Sequence, residues 1–320
     1  MNHERTNMIL CVGLTPTVQR TLLFSTLTLG EVNRARETFV TASGKGVNVA
    51  RVLTTLGGDT RLVQVLGGDS GRYIASALHA DGIAHDSIQT IDDAPTRTCT
   101  TLLSADCPAT ELVEEARALD SHDIRLLRAA IATRLLEAET VCLSGSLPPG
   151  VDAEFYADIV RDAAAFGTPV IVDAQGVPLR LSLPHRPFLV KPNREEAART
   201  LGFALTNDAE RDARTAIEAL TESGARWALV SMGRHGSLLG DGTSLWRIVP
   251  PSLHAVNPIG SGDSLTAGFL FAHFVRGMPV PEACAFGTAC GAANCLTPTS
   301  GVVDPAQVER LLPQVTLTRL

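Results

Sequence analysis

Positive charge, long apolar runs and metal-binding spacings are all scarce in this sequence of 320 residues. The formal net charge of −7 gives no general attraction to nucleic-acid phosphates or to an anionic membrane surface. Any anionic ligand must therefore be held by local groups. The longest apolar run, Leu265 to Val275, is broken by Thr266, Gly268 and His273 and is far too short to span a bilayer. The opening MNHERTNMILCVGL lacks a basic region, a long apolar core and a small-residue cleavage site, so no secretory signal is expected. The seven cysteines form no C-x-x-C pair and the eight histidines no H-E-x-x-H, which argues against a zinc site or dithiol chemistry. Cys284, Cys290 and Cys295 fall in an Ala-rich stretch and read as small buried hydrophobes. The expectation is a cytoplasmic protein with neither nucleic acid nor membrane among its partners.

Lysine is scarcest of all. Of the 27 basic residues only Lys45 and Lys191 are lysines. An ammonium on a flexible stem can follow a phosphate as a point charge, a task for which arginine is not a substitute. Both lysines lie in turns marked by Gly, Pro or Asn, which makes them candidates for an anion site, although chance retention also fits the count.

Continuous apolar segments of strand length recur at 8–14, 61–67, 140–145, 169–174, 187–193 and 227–233. Runs that do not alternate suit parallel strands buried on both faces. Helical patterns lie between them. Val49, Val52, Leu53 and Leu56 follow i, i+3, i+4, i+7 spacing before Gly57-Gly58, and SGRYIASALHADG and DAEFYADIVRDAAAFG also end in glycine. Repeated β then α predicts a doubly wound α/β sheet whose ligands bind beyond the carboxyl ends of the strands. Segments 17–40 and 88–104 break the alternation, being rich in Thr, Val and Leu with strand-like patterning. They are expected to form a small separate sheet of the kind that closes over a site. No internal repeat, low-complexity segment or linker divides the chain, which reads as one domain, 1–320.

The stretch NPIGSGDSLTAGF, Asn257 to Phe269, joins a glycine turn, a carboxylate and an apolar helix. Backbone N–H groups converging at a helix N-terminus bind anions, and the same dipole favours an ionised Asp263. Phosphoryl transfer needs those two things together, a base for the attacking hydroxyl and donors for the moving phosphoryl oxygens. A plain glycine turn followed by a first-turn aspartate fits this segment equally well. The common nucleotide motifs are missing, because Gly44-Lys45 is followed by Gly46 rather than Ser or Thr and no G-x-G-x-x-G occurs.

Nine segments in order, LTPTVQRT, ASGKGVNVARVL, GGDSGRYIASAL, TRTCTTL, LSGSLPPG, VDAQG, KPNREEA, SMGRHGSLL and NPIGSGDSLTAGF, resemble the PfkB (ribokinase-like) family of sugar kinases. The resemblance is to the branch containing 1-phosphofructokinase and tagatose-6-phosphate kinase. It implies a ribokinase-like three-layer α/β/α sandwich with a mostly parallel central sheet and a small β-sheet lid. It implies Asp263 as the catalytic base and Gly260, Ser261 and Gly262 as the anion hole. It assigns Lys191, Ser231, Gly233 and Gly236 to ATP, and Asn193 and Glu196 to Mg²⁺ and the nucleotide phosphates, through water. Asn193 can equally be the N-cap of a helix, and the two readings are compatible. Gly44, Lys45 and Asn48 are implied for the sugar, and Arg97 and Ser146 for the phosphate of a sugar phosphate.

The departures from the family pattern fall on the acceptor side. Thr15 and Gln19 stand where this branch has asparagine and aspartate, Ser43 stands for a glycine, Cys99 for an asparagine, and TELVEEA lacks a proline and a glycine. Neutral Gln19 both donates and accepts, so it reads hydroxyls differently from a carboxylate. The implied reaction is ATP-dependent phosphorylation of a ketohexose phosphate: fructose 1-phosphate, tagatose 6-phosphate or fructose 6-phosphate. An unphosphorylated sugar or nucleoside is the nearest alternative acceptor, and a non-catalytic sugar-phosphate sensor is the alternative of another class. The resemblance leaves a monovalent cation open and makes a homodimer through the lid an expectation.

Overall fold

Continuous apolar runs become strands covered on both faces when helices pack above and below them. The computed structural model describes residues 7–105 and 107–320, so the first six residues of the opening stretch lie outside the described residues. In chain order the strands are β1 (Ile9–Val12), β2 (Thr17–Phe24), β3 (Glu37–Ser43), β4 (Thr60–Leu66), β5 (Ala84–Gln89), β6 (Thr98–Ser104), β7 (Cys107–Val113), β8 (Thr140–Ser144), β9 (Val170–Asp173), β10 (Leu189–Val190), β11 (Trp227–Ser231), β12 (Ser237–Gly240), β13 (Leu245–Val249) and β14 (Thr316–Arg319). Ten of them form one sheet in the order β14-β13-β12-β11-β10-β9-β8-β1-β4-β5. The run from β11 to β5 is parallel, and β12, β13 and β14 add antiparallel at one edge.

Alternate residues of each central strand feed two separate cores. Ile9 and Cys11 of β1 and Ile171 of β9 pack with Val49, Leu53, Phe269 and Phe286 on one face. Leu10, Val12, Val170 and Val172 pack with Leu127, Tyr156, Ile217 and Leu220 on the other. This is a three-layer α/β/α sandwich. The first layer contains helices Lys45–Leu56, Ser261–Leu270 and Val280–Asn294, and the second contains Ser121–Leu135, Phe155–Ala165 and Ala209–Glu222.

The smaller sheet has the order β3-β2-β6-β7. The expected segments supply three of its strands with shifted limits. β3 runs past 40 to Ser43, whereas Ile88 and Gln89 close β5 of the large sheet and 90–97 is an irregular loop. β7 was not expected, since CPATELV carries a proline and a glutamate and becomes a strand by pairing with β6. One face of this sheet, with Gln19, Thr21 and Thr101, is buried.

Helices Ser261–Leu270 and Val280–Asn294 cross at Gly268 and Gly287. A Cβ on Gly287 would lie 2.4 Å from the Leu265 carbonyl oxygen, and one on Gly268 would lie 2.8 Å from Gly287 Cα. Only two bare backbones fit at that distance. Gly287→Ala is therefore expected to destabilise the fold by about 1–3 kcal/mol through overpacking. A urea titration whose midpoint stayed at the wild-type value would contradict that close approach.

Candidate active site

The site is built where the parallel strands end. Asp173 is the last residue of β9, Lys191 follows β10 directly, and Ser231 ends β11. Lys45 opens the helix that follows β3, and Asp263 sits in the first turn of Ser261–Leu270. These elements surround a cavity of about 530 Å³ that also reaches Gln19, Cys99 and Glu111 of the small sheet.

Asp173 was not singled out by sequence reasoning, and it organises the site. It is 1 % exposed, and its Oδ1 lies 3.2 Å from Lys45 Nζ while its Oδ2 lies 3.1 Å from Lys191 Nζ. Both lysines of the chain thus share one buried carboxylate. The Thr266 hydroxyl lies 3.2 Å from Oδ2 and 3.1 Å from the Gly262 carbonyl, two acceptors for its one proton. Burial alone would raise the Asp173 pKa, but the ammonium groups of Lys191 and Lys45 outweigh it and hold the carboxyl below its usual range. Asp173 in turn pushes Lys45 up against the effect of burial, with smaller help from Glu196 and Asp263. The signal that could have found Asp173 was its place at the carboxyl end of a fully apolar parallel strand.

Asp263 is buried, and the Asn48 amide donates to its Oδ2 at 2.7 Å. Burial pushes its pKa up to about 6, partly opposed by Lys45. A carboxyl poised there is ionised at neutral pH and can still take up a proton. The helix start beneath it is set by Gly260 at φ 82°, where a Cβ would lie 2.7 Å from Ser300 Cβ. Two buried amides brace this turn. Asn257 accepts from Ile259 N and donates to the Pro298 carbonyl, and Asn294 accepts from Ser264 Oγ and Gly301 N while donating to the Ile259 carbonyl. Gly260, Ser261 and Gly262 line the cavity, and Lys191 Nζ lies 3.4 Å from where a Cβ on Gly262 would be.

Asn193 caps the helix Arg194–Leu201 in a reciprocal box: its side chain accepts from Glu196 N at 2.8 Å, and Glu196 Oε2 accepts from Asn193 N at 2.9 Å. Glu196 Oε1 faces the cavity, 3.8 Å from Lys45 Nζ. Among the described residues no group of three His, Cys, Asp or Glu could enclose a metal. One carboxylate oxygen facing the cavity suits Mg²⁺, which retains several waters and shares its shell with substrate phosphates.

On the acceptor side Gln19 Nε2 donates to Thr101 Oγ1 at 2.8 Å, which leaves its second N–H and its carbonyl to read a hydroxyl. Arg97 donates to the carbonyls of Thr15 and Glu114 at 3.0 and 3.2 Å, and its buried Nε has no partner. Glu111 lines the same side, its pKa raised by burial. Gly44 and Gly233 also line the cavity. Gly236 and Ser146 do not: Gly236, at φ 86°, packs under the Ile248 carbonyl in the turn to β12, and Ser146 is exposed in the loop after β8. Cys99 is buried at the cavity wall, Cys284 and Cys290 are buried in the core, and Cys295 is half-buried at a helix end.

Residues 6–306 match the model of the pfkB family carbohydrate kinases. Phosphofructokinase-2 from Escherichia coli, solved with substrates and products, is 26 % identical over 95 % of this chain and 98 % of that one, with a TM-score of 0.85. A possible 1-phosphofructokinase from Thermotoga maritima is 22 % identical over 98 % and 99 % of the two chains, with a TM-score of 0.89. Ribokinase from Arabidopsis thaliana, complexed with ribose and ATP, is 21 % identical over 95 % and 98 %, with a TM-score of 0.73.

Two outcomes are expected from the site's electrostatics. Asp173→Asn leaves a buried ammonium without its counter-charge and should destabilise the protein by about 3–5 kcal/mol in denaturant unfolding. The raised pKa of Asp263 has the opposite sign for folding, because the stability it contributes at low pH is lost as pH rises through about 6. Asp263→Asn removes that loss, so calorimetry at pH 7.5 should show an unchanged or higher Tm, and a lower one would contradict the assigned environment.

Proposed function

The chain belongs to the pfkB family of carbohydrate kinases, and we propose that it transfers the γ-phosphoryl group of ATP to a hydroxyl of a ketohexose phosphate. The observation that carries this reading is the buried Asp263 carboxylate at a helix N-terminus, held by Asn48 in one cavity with both lysines of the chain. Asp263 takes the proton of the acceptor hydroxyl as its oxygen attacks the γ-phosphorus, and ADP leaves with the bridging oxygen. The backbone at 260–262 donates to the phosphoryl oxygens, where charge is spread in the transition state. Lys191, beside Gly262, meets the ATP phosphates, and Ser231 and Gly233 shape the nucleotide side. Asn193 and Glu196 would hold Mg²⁺ through water, and the ion would supply positive charge that two lysines among three carboxylates leave short. The reading takes 1–320 as a single kinase domain with the small sheet as its lid.

For the acceptor, Lys45 and Arg97 supply the positive groups on the sugar side, with Gly44, Asn48 and Gln19 assigned to the sugar, whereas Ser146, expected at the sugar phosphate, lies outside the cavity. An arginine and a lysine converging on one dianion give both geometry and charge. Fructose 6-phosphate is bound by the Escherichia coli relative, which supports an acceptor of this class. A neutral acceptor is the second reading, favoured by the two carbonyls that already occupy Arg97 and by the Glu111 carboxylate nearby. A monovalent cation is proposed as an activator, as potassium is bound by the same relative. A homodimer is proposed through the outer face of the small sheet, where Arg20 pairs with Val40 and Thr100, and Leu112 and Val40 are exposed.

The test is ATP turnover with Mg²⁺ on fructose, tagatose and ribose, each beside its 1- and 6-phosphates or, for ribose, its 5-phosphate. Turnover confined to a phosphorylated ketose is expected, with Arg97→Ala raising its KM by about 10- to 100-fold. Turnover confined to neutral acceptors would replace the first reading with the second. Asp263→Asn should lower kcat by about 10²- to 10⁴-fold with ATP binding retained.

A further inference from the structure

Ser43, which stands where the resembled family has glycine, is not solvated. It is 3 % exposed, its hydroxyl donates to Asn48 Oδ1 at 3.0 Å, and its oxygen lies 3.1 Å from Ser300 Oγ, 257 positions away in the sequence. A hydroxyl has one proton to give. The proton of Ser43 is committed to Asn48, so Ser300 must be the donor between the two serines. The remaining side of the Asn48 amide donates to Asp263 Oδ2 at 2.7 Å. The three bonds therefore run in one direction, Ser300 to Ser43 to Asn48 to Asp263, and bonds in such a chain polarise one another.

The surroundings leave the chain little freedom. Ser300 is 2 % exposed and fills the space beside Gly260. Gly301 presses on Asn48 so closely that a Cβ there would lie 2.7 Å from both Asn48 Cβ and Oδ1. Without the serines an amide can rotate by half a turn and present oxygen to Asp263, where two acceptors would repel. We propose that Ser43 and Ser300 are positioning residues that fix the orientation of the Asn48 amide and thereby keep Asp263 ionised for proton uptake. The proposal rests on the reading of Asp263 as the base. The charged groups around Asp263 are Lys45 from its own helix start, Lys191 after β10 and Asp173 from β9, with burial the dominant influence. The hydrogen-bonded route from the serines to Asp263 runs through Asn48.

The experiment is the pH profile of kcat, at saturating ATP and acceptor, for wild type, Ser43→Ala, Ser300→Ala and Asn48→Ala, and for Ser43→Ala/Asn48→Ala. Both serine variants should move the acid limb upward by about half a pH unit, the scale of one lost hydrogen bond. They should lose kcat by a few-fold near pH 6 and recover it at higher pH. In the Asn48→Ala background Ser43→Ala should have no further effect on the limb, because its route to Asp263 is gone. A loss that is equal at every pH, or a Ser43→Ala shift that persists without Asn48, would overturn the proposal. Should Ser43→Ala fold poorly, Ser43→Gly removes the same hydroxyl and Ser300→Ala tests the chain from its other end. Asp263→Asn separates the two levels of failure. If that variant turns over normally, the reading of Asp263 as the base is wrong, whereas an inactive Asp263→Asn with unshifted serine variants condemns the serine chain alone.

Discussion

The Lys191 ammonium cannot be buried at the end of a parallel sheet, with the half-buried Lys45 beside it, unless a carboxylate lies between them, and Asp173 meets that requirement at 1 % exposure. The constraint reaches well beyond the pair of ion contacts. Lys45 brings the start of its helix, Lys191 brings the turn after β10, and Thr266 brings the helix that carries Asp263. Three segments widely separated in sequence are thereby drawn to one carboxylate. Each lysine retains ammonium donors for a ligand, since only one carboxylate oxygen of Asp173 is spent on each.

The same cluster explains how two neighbouring aspartates, Asp263 at the cavity wall and Asp173 buried behind the lysines, come to opposite protonation behaviour. Asp173 touches both lysines and is held low, whereas Asp263 is buried, touches neither directly and is pushed up to about 6. Environments that separate the pKa values of neighbouring acids are a common feature of sites that move protons. Here the separation follows from position. Asp173 ends a strand between the lysines, and Asp263 lies in the first turn of a helix, against the Asn48 amide.

Much of this was written locally. The apolar runs around β1, β4, β8, β9 and β11 were found as strands because residues buried on both faces have no polar alternates to disguise them. The glycine turn at 260–262, the cap at Asn193 and the cavity-lining Lys45 and Lys191 were recognisable from residue type and order, whereas Asn48 came from the family resemblance alone. The edges were not. SLLG, LWRIV and TLTR become strands β12 to β14 through antiparallel pairing with a neighbour, and the polar AHDSIQ becomes β5 by lying beside β4. PFLVKPN gave only a two-residue strand because proline at 187 and 192 removes ladder donors. The lid strand β7, with its proline and glutamate, was equally hidden.

The sequence by itself determined the layer order, the helix starts and the types of group that meet in the cavity, since these depend on period, capping and side-chain chemistry over a few residues. Only the tertiary structure decided the partners. That Asp173 holds both lysines, that Arg97 is clasped by two carbonyls, and that Ser300 reaches Asp263 through Ser43 and Asn48 are contacts across as many as 257 positions. Such contacts depend on where whole elements pack, and no local pattern encodes a distance in space.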